Sequence, residues 1–470
     1  MRTVGRAPLA GRVVGVYGSG GAPWHHLALA AAGGATVRVV RAEDVADGRL
    51  EELDVLVMPG GGASAMAGLL APLGADGADA IRGWVESGGT YVSSCAGSVL
   101  PLALTAAADE ANPIARHIRM VDVALANRGD ATLGGLASPG VGRIRVRLAP
   151  GHPITAGLPD SIELVHYNGP LFDTGNATVS EFAWPVGATH DYTPAEGFMA
   201  GDATSTTFQR CVDAGAATAI DARVGEGHAV LFGSHPEFGL GPLLLGWSHG
   251  AELLTTALAG RSSAHDPTHT TEVGPGWRVR RGHEASEAGT LASRAATALD
   301  RVATRFDALG ASVSPTLDAW LAPGMAASFH GVAAASAWRR DTRSAADVAR
   351  CAAAQLRVLA TLVDDHDLSW LDDEARSDQD FGFEGLTQLT ARIEAMLIAA
   401  DAAAATEARR PAHAYDLFDS HPFHLAVGSY LSAAGLTAAA LLASALLAFR
   451  HGATTPCLEE RLWLTRGDTA

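Results

Sequence analysis

Gly89-Thr-Tyr-Val-Ser-Ser-Cys95-Ala-Gly97-Ser-Val-Leu100 reads as a strand, a one-residue turn and a helix start. Such a turn holds one side chain in a strained elbow at the C-terminal edge of a parallel sheet. It also sets the Cys95 thiol at the first turn of the next helix, where free N–H groups and the macrodipole favour a thiolate. Two more segments end apolar strands in the same manner: Met58-Pro-Gly-Gly-Gly62 earlier, and Leu231-Phe-Gly-Ser-His235-Pro-Glu237 later. A nucleophile, a glycine-rich loop and a His-x-Glu pair, each at a strand end, can converge into one thiol active site.

The flanking sequence fits that sheet. Arg12–Tyr17, Ala35–Val40 and Leu53–Met58 are short apolar runs, and the first ends in Gly18-Ser-Gly-Gly21. A helix-compatible stretch opens at Pro23, and Ala78–Glu86 reads as a helix leading into Thr90–Ser94. Strands of five or six residues alternating with helices predict βαβ units and a doubly wound, mostly parallel α/β sheet. Between about 115 and 210 the pattern loosens into β-like pieces such as Gly142–Leu148 and Ile162–Tyr167. Ala217–Asp221, Val224–Gly227 and His228–Phe232 predict a hairpin feeding the strand before His235, and Trp247–Leu258 a closing helix.

Within this frame Cys95 is the candidate nucleophile, His235 the base and Glu237 the group that fixes its tautomer. The bare N–H groups of Gly60 and Gly61, with that of Ala96, would face the oxygen of a tetrahedral intermediate. Tyr167 and Asn168, and Ser94 beside the nucleophile, are weaker candidates for substrate contacts. Asn168-Gly169 after a strand is first of all a turn. His25 and His26 read as exposed helix histidines, with a place near the sheet edge as the alternative.

Together these residues resemble the class I glutamine amidotransferase-like superfamily, and more narrowly the N-terminal domain of eukaryotic-type biotin-protein ligases and its bacterial stand-alone relatives. The resemblance rests on Val16-Tyr17-Gly18-Ser-Gly, Met58-Pro-Gly-Gly-Gly, Val85-Glu-Ser-Gly-Gly-Thr-Tyr before Cys95-Ala-Gly, Val165-His-Tyr-Asn-Gly169 and Gly225-Glu-Gly-His-Ala-Val-Leu-Phe-Gly-Ser-His-Pro-Glu-Phe238, across about residues 11–258. It implies a flavodoxin-like, Rossmann-like fold and a Cys95–His235–Glu237 triad. The Tyr-Asn-Gly segment and the Glu-Phe after His-Pro point to the ligase-type subgroup. Two departures stand out. Ser93 occupies a position where glutamine-hydrolysing members usually carry glycine, so it tightens the elbow or alters the pocket. A biotinylating catalytic domain is missing as well, since the sequence has neither a lysine for it nor a Gly-Arg-Gly-Arg-type loop.

Composition narrows the chemistry. The 470 residues are too many for one ordinary core. With 34 basic and 51 acidic residues the net charge is −17, which opposes general binding to nucleic acid or anionic membranes. All the basic side chains are arginine. A P-loop lysine, a pyridoxal Schiff base and a lysine-dependent adenylate-forming site are therefore excluded. The four cysteines, Cys95, Cys211, Cys351 and Cys457, lack zinc-ribbon or disulfide spacing. No metal or cofactor is implied, and the N-terminal residues lack a signal-peptide pattern, so a cytoplasmic location is expected.

The domain organisation expected is an amidotransferase-like unit over 1–262, a polar linker over 263–282 and an α-helical domain of no recognised family over 283–470. The last is read as a bundle of helices near 284–309, 343–363, 384–408 and 424–450. Leu425–Phe449 is 25 residues without a formal charge, long enough to span a membrane. Its Ala, Gly, Ser and Thr content favours a bundle helix packed through small residues. The acidic run from Asp364 to Glu374 reads as a solvated loop. The leading functional expectation is a cysteine-dependent amidase or amidotransferase working through a thioester on a small-molecule or peptide amide. The alternative is a non-catalytic ligand- or partner-binding module, anchored by the C-terminal apolar helix. The helical half is the expected surface for a partner protein or a homo-oligomer.

Overall fold

In the computed structural model, the described residues are 8–260, except 22, 24–25, 27–28, 31–32, 34, 61–64, 104–109, 111, 129–139, 168, 176, 190–191, 195–205 and 239–248, and a few helical positions between 293 and 304. The proposed linker, nearly all of the C-terminal helical half and the Leu425–Phe449 stretch lie outside them. Among the described residues, no helix is long and apolar enough to cross a membrane.

The alternation read from the sequence forms as strands β1 Val13–Tyr17, β2 Thr36–Val40, β3 Val55–Met58 and β4 Thr90–Ser94. Each residue of β3 is buried, as a central parallel strand covered on both faces requires, whereas β2, on the sheet edge, is only partly covered. Beyond β4 come β5 Ala124–Leu125, β6 Gly140–Leu148, β7 Ser161–Tyr167, β8 Phe172–Asp173, β9 Val179–Ala188, β10 Thr193–Pro194, β11 Ala219–Val224 and β12 Gly227–Phe232. The main sheet runs β10-β6-β9-β11-β12-β4-β3-β1-β2, and β7 pairs with β6.

Pairing is parallel from β2 through β1, β3 and β4 to β12, and antiparallel from β12 through β11 and β9 to β6, β7 and β10. The sheet is therefore mixed, and the expectation of a mostly parallel one holds only for its first five strands. The β-like pieces at Gly142–Leu148 and Ile162–Tyr167 lie within β6 and β7, joined edge to edge. The predicted hairpin is β11–β12, with Gly225-Glu226 at its turn.

Register places the functional loops together. Val16 pairs with Val57, Met58 with Ser93, and Phe232 with Ser94. Strands β1, β3, β4 and β12 thus end on one edge, where a parallel α/β sheet gathers its site residues. The helix before β4 is longer than the sequence indicated: it spans Ala65–Glu86 and is broken at Gly74, two residues after Pro72. Those breakers conceal its first half from a periodicity reading. The closing helix spans His249–Ala259, and its C-terminal end is tied to the first strand by Arg12 Nη2 donating to the Ala259 carbonyl at 2.8 Å.

Candidate active site

Strand β4 ends at Ser94, and Cys95 turns the chain with φ 46° and ψ −117°. It is the one non-glycine described residue with positive φ. Such a conformation costs about 1–3 kcal/mol and persists only where the surroundings over-determine it. Here they do. The Cys95 N–H donates to the Phe232 carbonyl at 2.9 Å, and the Ser98 N–H donates back to the Cys95 carbonyl at 2.9 Å. Ser98 Oγ donates to the same Phe232 carbonyl at 2.8 Å, and so must accept from Ser93 Oγ, 2.9 Å away. The Tyr91 hydroxyl closes the set, donating to the Gly97 carbonyl at 2.7 Å. Ser93, the departure from the glutaminase pattern, therefore braces the elbow. The helix after Cys95 is a single turn, Ala96–Val99, much shorter than the reading of a dipole-bearing helix assumed.

Two glycines let this turn sit where it does. A Cβ on Gly97 would overlap the Met58 carbonyl and lie 2.8 Å from that of Pro59. One on Gly60 would lie 2.6 Å from Cys95 Cβ and 3.1 Å from His235 Cε1. The glycine loop after β3 therefore packs directly against both Cys95 and His235. Gly61, the other glycine of the expected oxyanion pair, lies outside the described residues. Ala96 begins the turn, and is buried.

His235 follows β12 and is fixed by its backbone, whose N–H donates to the Val165 carbonyl of β7 at 2.8 Å. Pro236–Phe238 forms one 3-10 turn, which folds Glu237 back so that Oε1 accepts from His235 Nδ1 at 2.7 Å. Cys95 acts on the imidazole electrostatically, favouring its protonated form. Exposures of 7% for Cys95, 1% for His235 and 2% for Glu237 show the whole chain of groups withdrawn from water.

Burial alone would lower the His235 pKa, but the Glu237 carboxylate and Cys95 outweigh it and raise it to about 10. Burial likewise raises Glu237, and the neighbouring His26 and His235 overcome this, taking it down to about 2. The pair is thus arranged as imidazolium and carboxylate. An imidazole so held can carry a proton between a thiol and a leaving group.

The other expected contacts separate. Ser94 is fully buried and its hydroxyl donates to Glu237 Oε1 at 2.9 Å, so it supports the carboxylate instead of lining a pocket. Tyr167 ends β7, paired with Val141, and Asn168 lies outside the described residues. Two histidines come in that the sequence reading did not place. His26, read as exposed, is fully buried, with Nε2 3.2 Å from Ser94 Oγ and 3.7 Å from Glu237 Oε2. His26, Leu29 and Ala30 are all buried, at the i, i+3, i+4 spacing of one helix face; that spacing was the available signal. His166 on β7 is fully buried with Nδ1 3.3 Å from Ser234 Oγ. Burial, then the charge of His235, depress its pKa to about 3, which keeps it neutral. Among the described residues, no group of three or more His, Cys, Asp or Glu is arranged to hold a metal ion.

No protein-family model matches the chain. It is 29% identical over 156 residues to pyridoxal 5'-phosphate synthase subunit PdxT of Bacillus cereus, covering 33% of this chain and 76% of that protein. PdxT of Bacillus thuringiensis matches with the same identity and coverage. A putative GMP synthase protein from Thermoplasma acidophilum aligns over 53% of this chain and 92% of its own, at 16% identity and a TM-score of 0.31. The similarity to PdxT thus spans 156 residues, about a third of this chain.

Proposed function

We propose that the chain is a cysteine-dependent amidase or amidotransferase. The observation that carries this is the strained Cys95 packed with a buried His235 around Gly60, with His235 itself bonded to Glu237 at 2.7 Å. In this reading, the His235 imidazolium holds the proton that the Cys95 thiol has given up, and Cys95 Sγ attacks the amide carbonyl carbon. The oxygen gathers charge that the N–H groups of Gly60 and Ala96 would stabilise. His235 then returns the proton to the departing nitrogen, leaving a thioester on Cys95. Water or another amine, deprotonated by His235, attacks the thioester and releases the acyl group. Glu237 orients the imidazole throughout.

The substrate is a small-molecule or peptide amide. The Tyr167-Asn168-Gly169 segment and Phe238 after Glu237 support the biotin-ligase-type subgroup as the nearer kinship. PdxT is by its name one component of a synthase, and this supports a partner protein here too, met through the region after residue 262. The test is mass spectrometry after exposure to an electrophilic glutamine analogue or a broad thiol probe. Wild type should carry one adduct on Cys95, and His235→Ala should carry little. Equal modification of both proteins would leave only a binding module.

A further inference from the structure

Two further groups stand on the Glu237 carboxylate beside His235. Ser94 Oγ donates to Oε1 at 2.9 Å, while His26 Nε2 stands 3.2 Å from Ser94 Oγ and 3.7 Å from Oε2. All three side chains are buried. The serine hydroxyl has one proton, and it goes to Glu237. The contact with His26 therefore needs Nε2–H as donor, which fixes that proton on the ring nitrogen facing the carboxylate. The three groups come from the helical stretch after β1, the end of β4 and the turn after β12. A buried carboxylate is costly unless it is paired, and here His235 Nδ1 and Ser94 Oγ both donate to Oε1 while His26 Nε2 faces Oε2 at 3.7 Å.

We propose that His26 and Ser94 are positioning residues of the site, a clamp that keeps the Glu237 carboxylate charged and aimed at His235. This rests on the Cys95–His235–Glu237 reading above. The ionisable groups around it are His235 on the same turn, His26 from the helical stretch after β1 and Cys95 at the end of β4; His166 of β7 faces His235 and stays neutral. Without His26, the largest of the effects that oppose the burial of Glu237 is lost. The carboxyl then protonates at higher pH, and His235 loses its anionic partner where the wild type still has it.

The readout is the rate of iodoacetamide alkylation at Cys95 in the full chain, followed by mass spectrometry from pH 2 to 8. His26→Leu should move the acid limb of the profile upward by about one pH unit, a roughly tenfold slower reaction within the limb. His26→Gln keeps a donor for Ser94 but no charge. It should recover part of the neutral-pH rate while its limb stays displaced, and Ser94→Ala should show the smaller displacement. If His26→Leu does not fold, His26→Gln carries the test. A wild-type limb in folded His26→Leu and His26→Gln would overturn the clamp. If His235→Ala also alkylates like wild type, the triad reading itself has failed, which is a different result.

Discussion

The carbonyl oxygen of Phe232 fixes the backbone of Cys95, accepting its N–H at 2.9 Å and the Ser98 hydroxyl at 2.8 Å. The strand that leads to His235 therefore also sets the elbow at Cys95. Ser98→Ala removes the second of these bonds and leaves Ser93 without its acceptor. A buried hydrogen bond of this kind contributes about 1 kcal/mol, and the melting temperature should fall by roughly 2–4 °C. Cys95 alkylation should slow by more than that loss of stability accounts for. Unchanged alkylation in Ser98→Ala would show that the elbow holds without the brace.

The thiols should differ sharply in reactivity. Cys211 is buried on the Thr206–Asp213 helix, and burial pushes it up to about 11, against a small opposing effect of Arg210. At pH 7.5 about one Cys211 thiol in a few thousand is ionised. Cys95 has an imidazole to take its proton. Iodoacetamide should label Cys95 well before Cys211, and equal rates in the native protein would remove the nucleophile assignment.

Removal of triad members should rank them. Cys95→Ala and His235→Ala should abolish turnover to a similar degree, because the thiol makes the bond and the imidazole moves the proton. Glu237→Gln keeps the shape and only loosens tautomer and angle. It should retain roughly ten to a hundred times more activity than the other two. Melting curves alongside turnover separate this from misfolding. Cys95→Ala with wild-type turnover would end the triad reading.

Stability should depend on pH in two windows set by the same pair. Glu237 is depressed on folding to about 2, so its contribution is present above the unfolded value of 4.5 and lost as pH falls through 2. His235 is raised to about 10, so its contribution is present below 6.5 and lost as pH rises through 10. The melting-temperature difference between wild type and Glu237→Gln should be largest between these limits and shrink toward either extreme. A constant difference from pH 3 to 10 would contradict the charged pair.

Much of this site was legible because its signals are local. Thr90–Gly97 shows a strand, elbow and helix start within eight residues, and Gly225-Glu226-Gly227 marks its hairpin in three. The His-Pro-Glu run puts base and carboxylate on one short turn. Partners made by non-local pairing were hidden. That β7 reaches across to bind the backbone of His235 follows from the β6–β7 register, which no short window shows. His26 was missed because two adjacent histidines near glycines look solvated until their spacing to Leu29 and Ala30 is counted. The antiparallel half of the sheet showed its strands but not their order, since pairing partners there are chosen by packing rather than by neighbouring residues.

Strand order carries a consequence for biosynthesis. Strand β4 pairs with β3 on one side and β12 on the other, and β12 comes more than a hundred residues later. A nascent chain that has released only the first four strands keeps β4 as an open edge, a template for unwanted pairing. It also holds a cysteine with no base. Insertion of β12 seals that edge and delivers His235 and Glu237 in the same movement. A truncation before Gly227 therefore leaves an edge prone to aggregation and Cys95 without His235 and Glu237.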